Sequence, residues 1–197
     1  MKKLEVSDLI SIGVFSALYF VVVAIATFVS SILLGGYAYV LLPAVAALLA
    51  GSIYMLMVAK VQKFGGITMM GVVMGVYFFI SGHFIVSFAA NIVCGILGDL
   101  IAKIGDYKNK MLILISYIVF SYGCTGPVLP MWFLRNQYIA NLEARGKSAE
   151  YIADMFANIN STTFIICMVS ILVLGAIGGL IGQKMMKKHF VKAGIID

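Results

Sequence analysis

Residues Ser121 to Thr163 read SYGCTGPVLPMWFLRNQYIANLEARGKSAEYIADMFANINSTT, the only long polar interval in a chain otherwise built of apolar runs. On either side lie stretches too apolar for water. Of the 197 residues 62% are hydrophobic and 11% charged, and the mean hydropathy is +1.07. That leaves too little polar surface to coat a soluble globule, so the chain reads as an integral membrane protein. Backbone in hydrocarbon must satisfy its own hydrogen bonds, which admits helices or closed barrels. Apolar runs this long, without alternation, exclude barrel strands. The expected fold is an all-α, single-domain bundle of six transmembrane helices, with the polar interval as an extracellular lid between helices five and six.

Working outward from the interval, helix one is expected over 9–28, long enough for a hydrocarbon core that needs about 20 residues. Ser7 would cap it, with Asp8 in its first turn. Helix two follows over 40–59, with Pro43 near its first turn, where proline is tolerated. The apolar run from Ile67 to Ala102 is too long for one crossing, and it folds back most cheaply at Ser81-Gly82-His83. That gives helix three over 67–81 and helix four over 84–102. On helix four, Asp99 and Lys103 stand four apart and are expected to pair. A charged turn, GDYKNK, leads to helix five over 111–124, which Gly126, Pro127 and Pro130 stop. The lid takes 125–158, helix six 159–183, and a basic tail 184–197. Inside the lid, Ser148 is placed to cap a short helix whose Tyr151, Ile152, Met155, Phe156 and Ile159 share one face. That face either seats on the mouth of the bundle or lies on the lipid surface.

The basic residues are distributed unevenly. Eleven lysines fall on the side of the two termini, and only Arg135, Arg145 and Lys147 fall in the polar interval. By the positive-inside rule both termini are cytoplasmic and the interval is outside. The net charge of +6 is thereby a topology signal, and no nucleic-acid partner is expected. Lys2 and Lys3 before an apolar run resemble a secretory signal, but the run exceeds a typical signal core and reads as a retained helix. Cys94, Cys124 and Cys167 stand singly, with no disulfide framework and no metal-binding spacing.

Polar groups in the outer halves of the helices are costly in hydrocarbon unless they face a cavity or a partner. His83, Asn91, Tyr122, Trp132 and Asn160 mix ring faces with hydrogen-bonding groups, as a pocket for a small, partly aromatic organic molecule requires. Arg135 is the basic residue nearest the mouth and is suited to a carboxylate or phosphate. Each has a plainer explanation. Trp132 fits an interfacial belt, Arg135 a lipid headgroup contact, and His83 a satisfied turn histidine. Small-x-x-x-small patterns at Gly13/Ala17, Gly71/Gly75, Gly175/Gly179 and Gly178/Gly182 allow close helix approach, mostly inside the bundle. The sequence carries no phosphate-binding loop and no series of buried carboxylates and histidines, so the energy for any uphill transport must come from elsewhere. A membrane enzyme using His83 or Cys124 would need a base and an orienting group that the sequence does not identify. No catalysis and no cofactor are expected.

The helix-one pattern at Gly13 and Ala17, GILGDLIAKIGDYKNK at Gly95 to Lys110, and GQKMMKKHFVKAGI at Gly182 to Ile195 resemble the Trep_Strep-type family of substrate-binding S components of energy-coupling factor (ECF) transporters. The resemblance covers nearly the whole chain. It implies high-affinity capture of a vitamin or related micronutrient from outside, followed by docking on a transmembrane coupling protein driven by two ATPase subunits. It also implies that the Gly13/Ala17 face is the coupling surface, with glycine where the family usually has alanine. The early histidine of metal-transporting members is missing from Met1-Lys2-Lys3, which points to an organic cargo.

Overall fold

The computed structural model describes residues 3–186, and the tail beyond Met186, with most of the GQKMMKKHFVKAGI motif, lies outside them. Ten α-helices occur among the described residues. They are α1 (Val6–Leu33), α2 (Ala38–Leu49), α3 (Gly51–Val61), α4 (Gly66–Ile80), α5 (Ile85–Ile104), α6 (Lys110–Ser121), α7 (Pro130–Phe133), α8 (Arg135–Ala144), α9 (Ala149–Phe156) and α10 (Ser161–Met185). By length and composition α1, α5 and α10 can each cross a membrane. The segments Gly35–Leu49 and Gly51–Val61 pass the same test together as one span bent by 47°. α4, and α6 with its short 3-10 extension, are apolar but shorter.

The bend corrects the expectation of an unbroken helix over 40–59, and both α6 and α10 meet its backbone. Ala47 O accepts the Tyr117 hydroxyl. A Cβ on Gly178 would lie 2.4 Å from Ala47 O and 2.5 Å from Leu48 O, and one on Gly51 would lie 2.1 Å from Gly178 O. Backbone therefore meets backbone at the bend, which only glycine permits. The Gly178/Gly182 pattern forms the seat for this bend, a Cβ on Gly182 lying 2.7 Å from Gly51 O. Gly71 and Gly75 do the same for α4 on α5, lying against Gly95 and Phe88.

The contacts fix the direction of each rod. α4 runs antiparallel to α5 and α5 to α6, since Gly98 meets Ser116 and Asn91 meets Gly123. α10 runs antiparallel to α6, with Gln183 bonding Lys110 O at one end and Tyr122 bonding Met168 O toward the other. One end of the bundle thus carries Lys63, Lys103, Lys108, Lys110 and Lys184, while residues 121–160 cap the other. A core of Tyr19, Tyr54, Tyr117, Phe120 and buried methionines fills the middle. The outward faces of α1, α5 and α10 carry exposed Leu, Ile, Val and Phe, as a lipid-facing surface should.

Two further expectations are corrected at the lysine end. The N-cap of α1 is Glu5 and not Ser7. Glu5 and Asp8 form a reciprocal capping box, and both carboxylates bind Lys63, at 3.1 and 2.7 Å. Asp99 does not pair with Lys103. It is fully buried and turned toward the start of α4, where Oδ2 accepts from Gly65 N, Thr68 N and Thr68 Oγ1 at 2.8, 3.0 and 2.8 Å. Its Oδ1 accepts the Tyr107 hydroxyl at 2.7 Å. A carboxylate at a helix N-terminus satisfies orphan amides and meets the positive end of the dipole, a stronger claim on a buried acid than an exposed lysine makes. Lys103 lies instead over the Phe64 ring, 5.0 Å from its centroid. The Tyr107 bond also accounts for the GDYKNK turn, where Asp106 and Tyr107 both adopt positive φ, +48° and +57°.

Candidate binding cavity

The polar interval folds back on the bundle end as a small subdomain of its own. Ser148 caps α9 by accepting from Tyr151 N at 3.2 Å. The apolar face of α9, with Ile152, Met155 and Phe156 buried, packs with Val128, Met131 and Leu142. The face thus seats mainly within the subdomain, with Tyr39 of the bundle rim packed against the same cluster. Polar contacts of α8, α9 and the turn after them tie the subdomain to the bundle rim. Tyr151 and Tyr39 share a hydroxyl pair at 2.6 Å, Asn158 Nδ2 donates to Gly36 O at 3.1 Å, and Arg145 donates to Gly82 O. The Gly82 carbonyl is presented by a turn at φ +79°, which ends the long apolar run between α4 and α5.

Under this subdomain lies a cavity of about 380 Å³. The second half of α1 supplies Phe20, Val23, Ala24 and Thr27, the start of α2 supplies Tyr39 and Leu42, and the end of α4 supplies Tyr77 and Phe78. His83, Cys124, Pro127, Val128 and Tyr138 complete the lining. No Asp, Glu, Lys or Arg takes part. The wall is an aromatic chain: Phe20 and Tyr77 have centroids 3.9 Å apart, and Phe78 meets the His83 imidazole edge-on at 5.3 Å. His83 Nδ1 lies 3.2 Å from Phe78 O. Burial of the imidazole holds its pKa below the ordinary histidine value, and nearby Arg145 acts in the same direction, while the bond to Phe78 opposes them.

The six expected binding residues divide. His83 lines the cavity. Asn91, Tyr122, Trp132, Asn160 and Arg135 do not, and each is engaged elsewhere. Asn91 is buried between α5 and the 3-10 turn, donating to Ser87 O at 2.8 Å and Gly123 O at 3.0 Å. It joins helices, the common fate of an amide in hydrocarbon. The Tyr122 hydroxyl donates to Met168 O at 2.8 Å, and Trp132 Nε1 donates to Asn160 O at 2.9 Å. Asn160 caps α10 in a reciprocal box with Thr163. Arg135 is exposed, its guanidinium 4.9 Å from the Phe156 centroid in an open cleft between α8 and α9. Gly13 and Ala17 face outward on α1, and a Cβ on Gly13 would meet nothing within 4 Å.

Phe20, Tyr39, Tyr77, Phe78 and Tyr138 are the aromatic lining residues that sequence reasoning missed. A tyrosine of an interfacial belt cannot be told from a pocket tyrosine until the helix ends are placed in space. His83 and Cys124 share the cavity, yet among the described residues no hydrogen bond joins them. The buried thiol has the Tyr19 hydroxyl, 4.0 Å away, as its polar neighbour.

Long apolar helices with an exposed apolar exterior define an integral membrane protein of the α-helical class. More particularly, the chain belongs to the family described as hypothetical bacterial integral membrane protein (Trep_Strep), whose model matches residues 6–192. No curated protein and no solved structure matches it.

Proposed function

We propose that this protein is the membrane-embedded binding subunit of an uptake system for a small organic micronutrient, an S component energised by a coupling protein and two ATPase subunits. The observation that carries the reading is the aromatic cavity at the end opposite Lys63, Lys103 and Lys184, walled on one side by Cys124, Pro127, Val128 and Tyr138 of the 121–160 segment. In this reading six segments cross the bilayer: α1, α2 with α3, α4, α5, α6 with its 3-10 extension, and α10. The two shorter ones are accommodated by local thinning of the membrane. The lysine end is cytoplasmic, and the cap is an extracellular lid. The outward Gly13/Ala17 face of α1 is then free to meet the coupling protein at close range. The cavity binds and releases, and it performs no covalent chemistry.

Gentle purification from the native membrane, with mass spectrometry of both proteins and released small molecules, tests this reading. Copurifying ATPases and a second membrane protein are expected, with uptake in reconstituted vesicles that needs ATP and all of these subunits. Substrate movement in vesicles holding this chain alone would make it a self-contained facilitator. Product formation by the isolated chain would make it an enzyme.

A further inference from the structure

Resting on the uptake reading, we infer that the cavity selects an uncharged, flat, aromatic molecule of one or two rings that offers an N–H or O–H donor to His83. Three features of the lining carry this. The first is charge. A carboxylate or phosphate ligand needs a cationic or densely amide-lined seat, and an ammonium ligand needs an acid, because a charge taken from water without a partner is strongly disfavoured. The lining supplies neither. Arg135, the cation expected at the mouth, is turned out onto Phe156, and Arg145, near enough to act on His83 and Tyr138, donates to the Gly82 carbonyl and is not part of the lining.

The second feature is shape. At about 380 Å³ the space falls low in the roughly 300–1,000 Å³ range of small-molecule pockets, enough for a compact ring system. The rings of Phe20, Tyr39, Tyr77, Phe78 and Tyr138 offer π-faces and edges on several sides, which reward a flat partner over an acyl chain.

The third feature is the pattern of donors and acceptors. With its Nδ1–H donated to Phe78 O, the neutral imidazole leaves Nε2 as an acceptor, and the ligand must bring the hydrogen. The hydroxyls of Tyr77 and Tyr138 make no hydrogen bond among the described residues and can serve ring nitrogens or carbonyls.

The test uses the purified full chain in nanodiscs and matched probes that differ in charge: nicotinamide, nicotinate and 1-methylnicotinamide for one ring, and 2-quinolone, quinoline-2-carboxylate and 1-methylquinolinium for two. Saturation-transfer NMR and calorimetry should rank the neutral member of at least one series first, by about tenfold or more. His83→Ala should weaken that member by about tenfold, the worth of one good hydrogen bond. His83→Lys should invert the ranking toward the carboxylate member. Equal or better binding of a charged member to the unaltered chain, or binding of no member, overturns the inference. Charged-probe preference leaves the uptake reading standing. A silent cavity in a chain that also moves substrate without ATPases removes both.

Discussion

Replacing Gly178 with alanine isolates the contact on which the bent α2–α3 segment sits. The added Cβ would stand 2.4 Å from Ala47 O, 2.5 Å from Leu48 O and 2.9 Å from Leu48 C, all backbone atoms that cannot rotate away. α10 and the bend must therefore separate by about 1 Å, opening the packing on both sides. Overpacking of this kind costs about 1–3 kcal/mol. At about 2–4 °C per kcal/mol for a chain of this length, the melting temperature should fall by roughly 2–12 °C. The same substitution elsewhere calibrates the result. At Gly175 the nearest atom to a new Cβ is the Ala47 Cβ at 3.7 Å, an ordinary contact, and at Gly13 nothing lies within 4 Å. The assay is thermal unfolding in detergent, followed by Trp132 and tyrosine fluorescence, with size-exclusion profiles before and after heating. The expected order of stability is Gly13→Ala at or above the unaltered protein, Gly175→Ala close to it, and Gly178→Ala well below. If Gly178→Ala melts with the unaltered protein, or Gly175→Ala proves the more damaged, the contact between α10 and the bend is wrong.

Four other outcomes follow from named contacts. Asp99→Ala strands two amides and the Thr68 hydroxyl at the start of α4 and the Tyr107 hydroxyl after α5, so it should cost at least about 3 kcal/mol and leave little monodisperse protein, whereas Lys103→Ala should be near neutral. Tyr151→Phe removes the hydroxyl pair with Tyr39 at a cost of about 1 kcal/mol, which hydrogen exchange should register as faster opening of α9 alone. Ser148→Ala should cost about 1 kcal/mol, in the same helix, through loss of its N-cap. The pKa of His83 is lower in the folded than in the unfolded chain, where it lies near 6.5, so the folded state binds fewer protons between the two values. Its contribution to stability is complete above pH ~6.5 and is lost as pH falls through the folded value, a slope that His83→Gln, still facing Arg145 and Tyr138, should lack.

The placement of helices was legible in the sequence because the apolar runs are long and the breaks are chemically loud. Gly82 at positive φ follows the end of α4 where the run becomes too long, and Pro130 opens α7 after the turns that follow α6. Ser148 as a cap was legible for the same reason, since capping is local. Long-range competition was not legible. Asp99 chose the amides of α4, 31 and 34 residues away, over the lysine one turn on, and no spacing rule along α5 reports that. The bend at Ala50 is likewise written partly in α10, in the glycines that receive it. At the site the difficulty was of another kind. Asn91, Tyr122 and Trp132 are the polar residues that look expensive in hydrocarbon, and the fold satisfies them with backbone carbonyls before any ligand is considered. The cavity is left to rings that raised no alarm in sequence because apolar surroundings suit them.

Sidedness bears on the whole account, since a receptacle for uptake must open away from the cytosol. Single cysteines at Lys147 and Lys108, in a chain with Cys94, Cys124 and Cys167 replaced by serine, can be challenged in intact cells with a membrane-impermeant maleimide. Labelling of Lys147→Cys in intact cells, with Lys108→Cys reacting only after lysis, is the expected result. The reverse pattern, or both positions reacting from the same side, would contradict it.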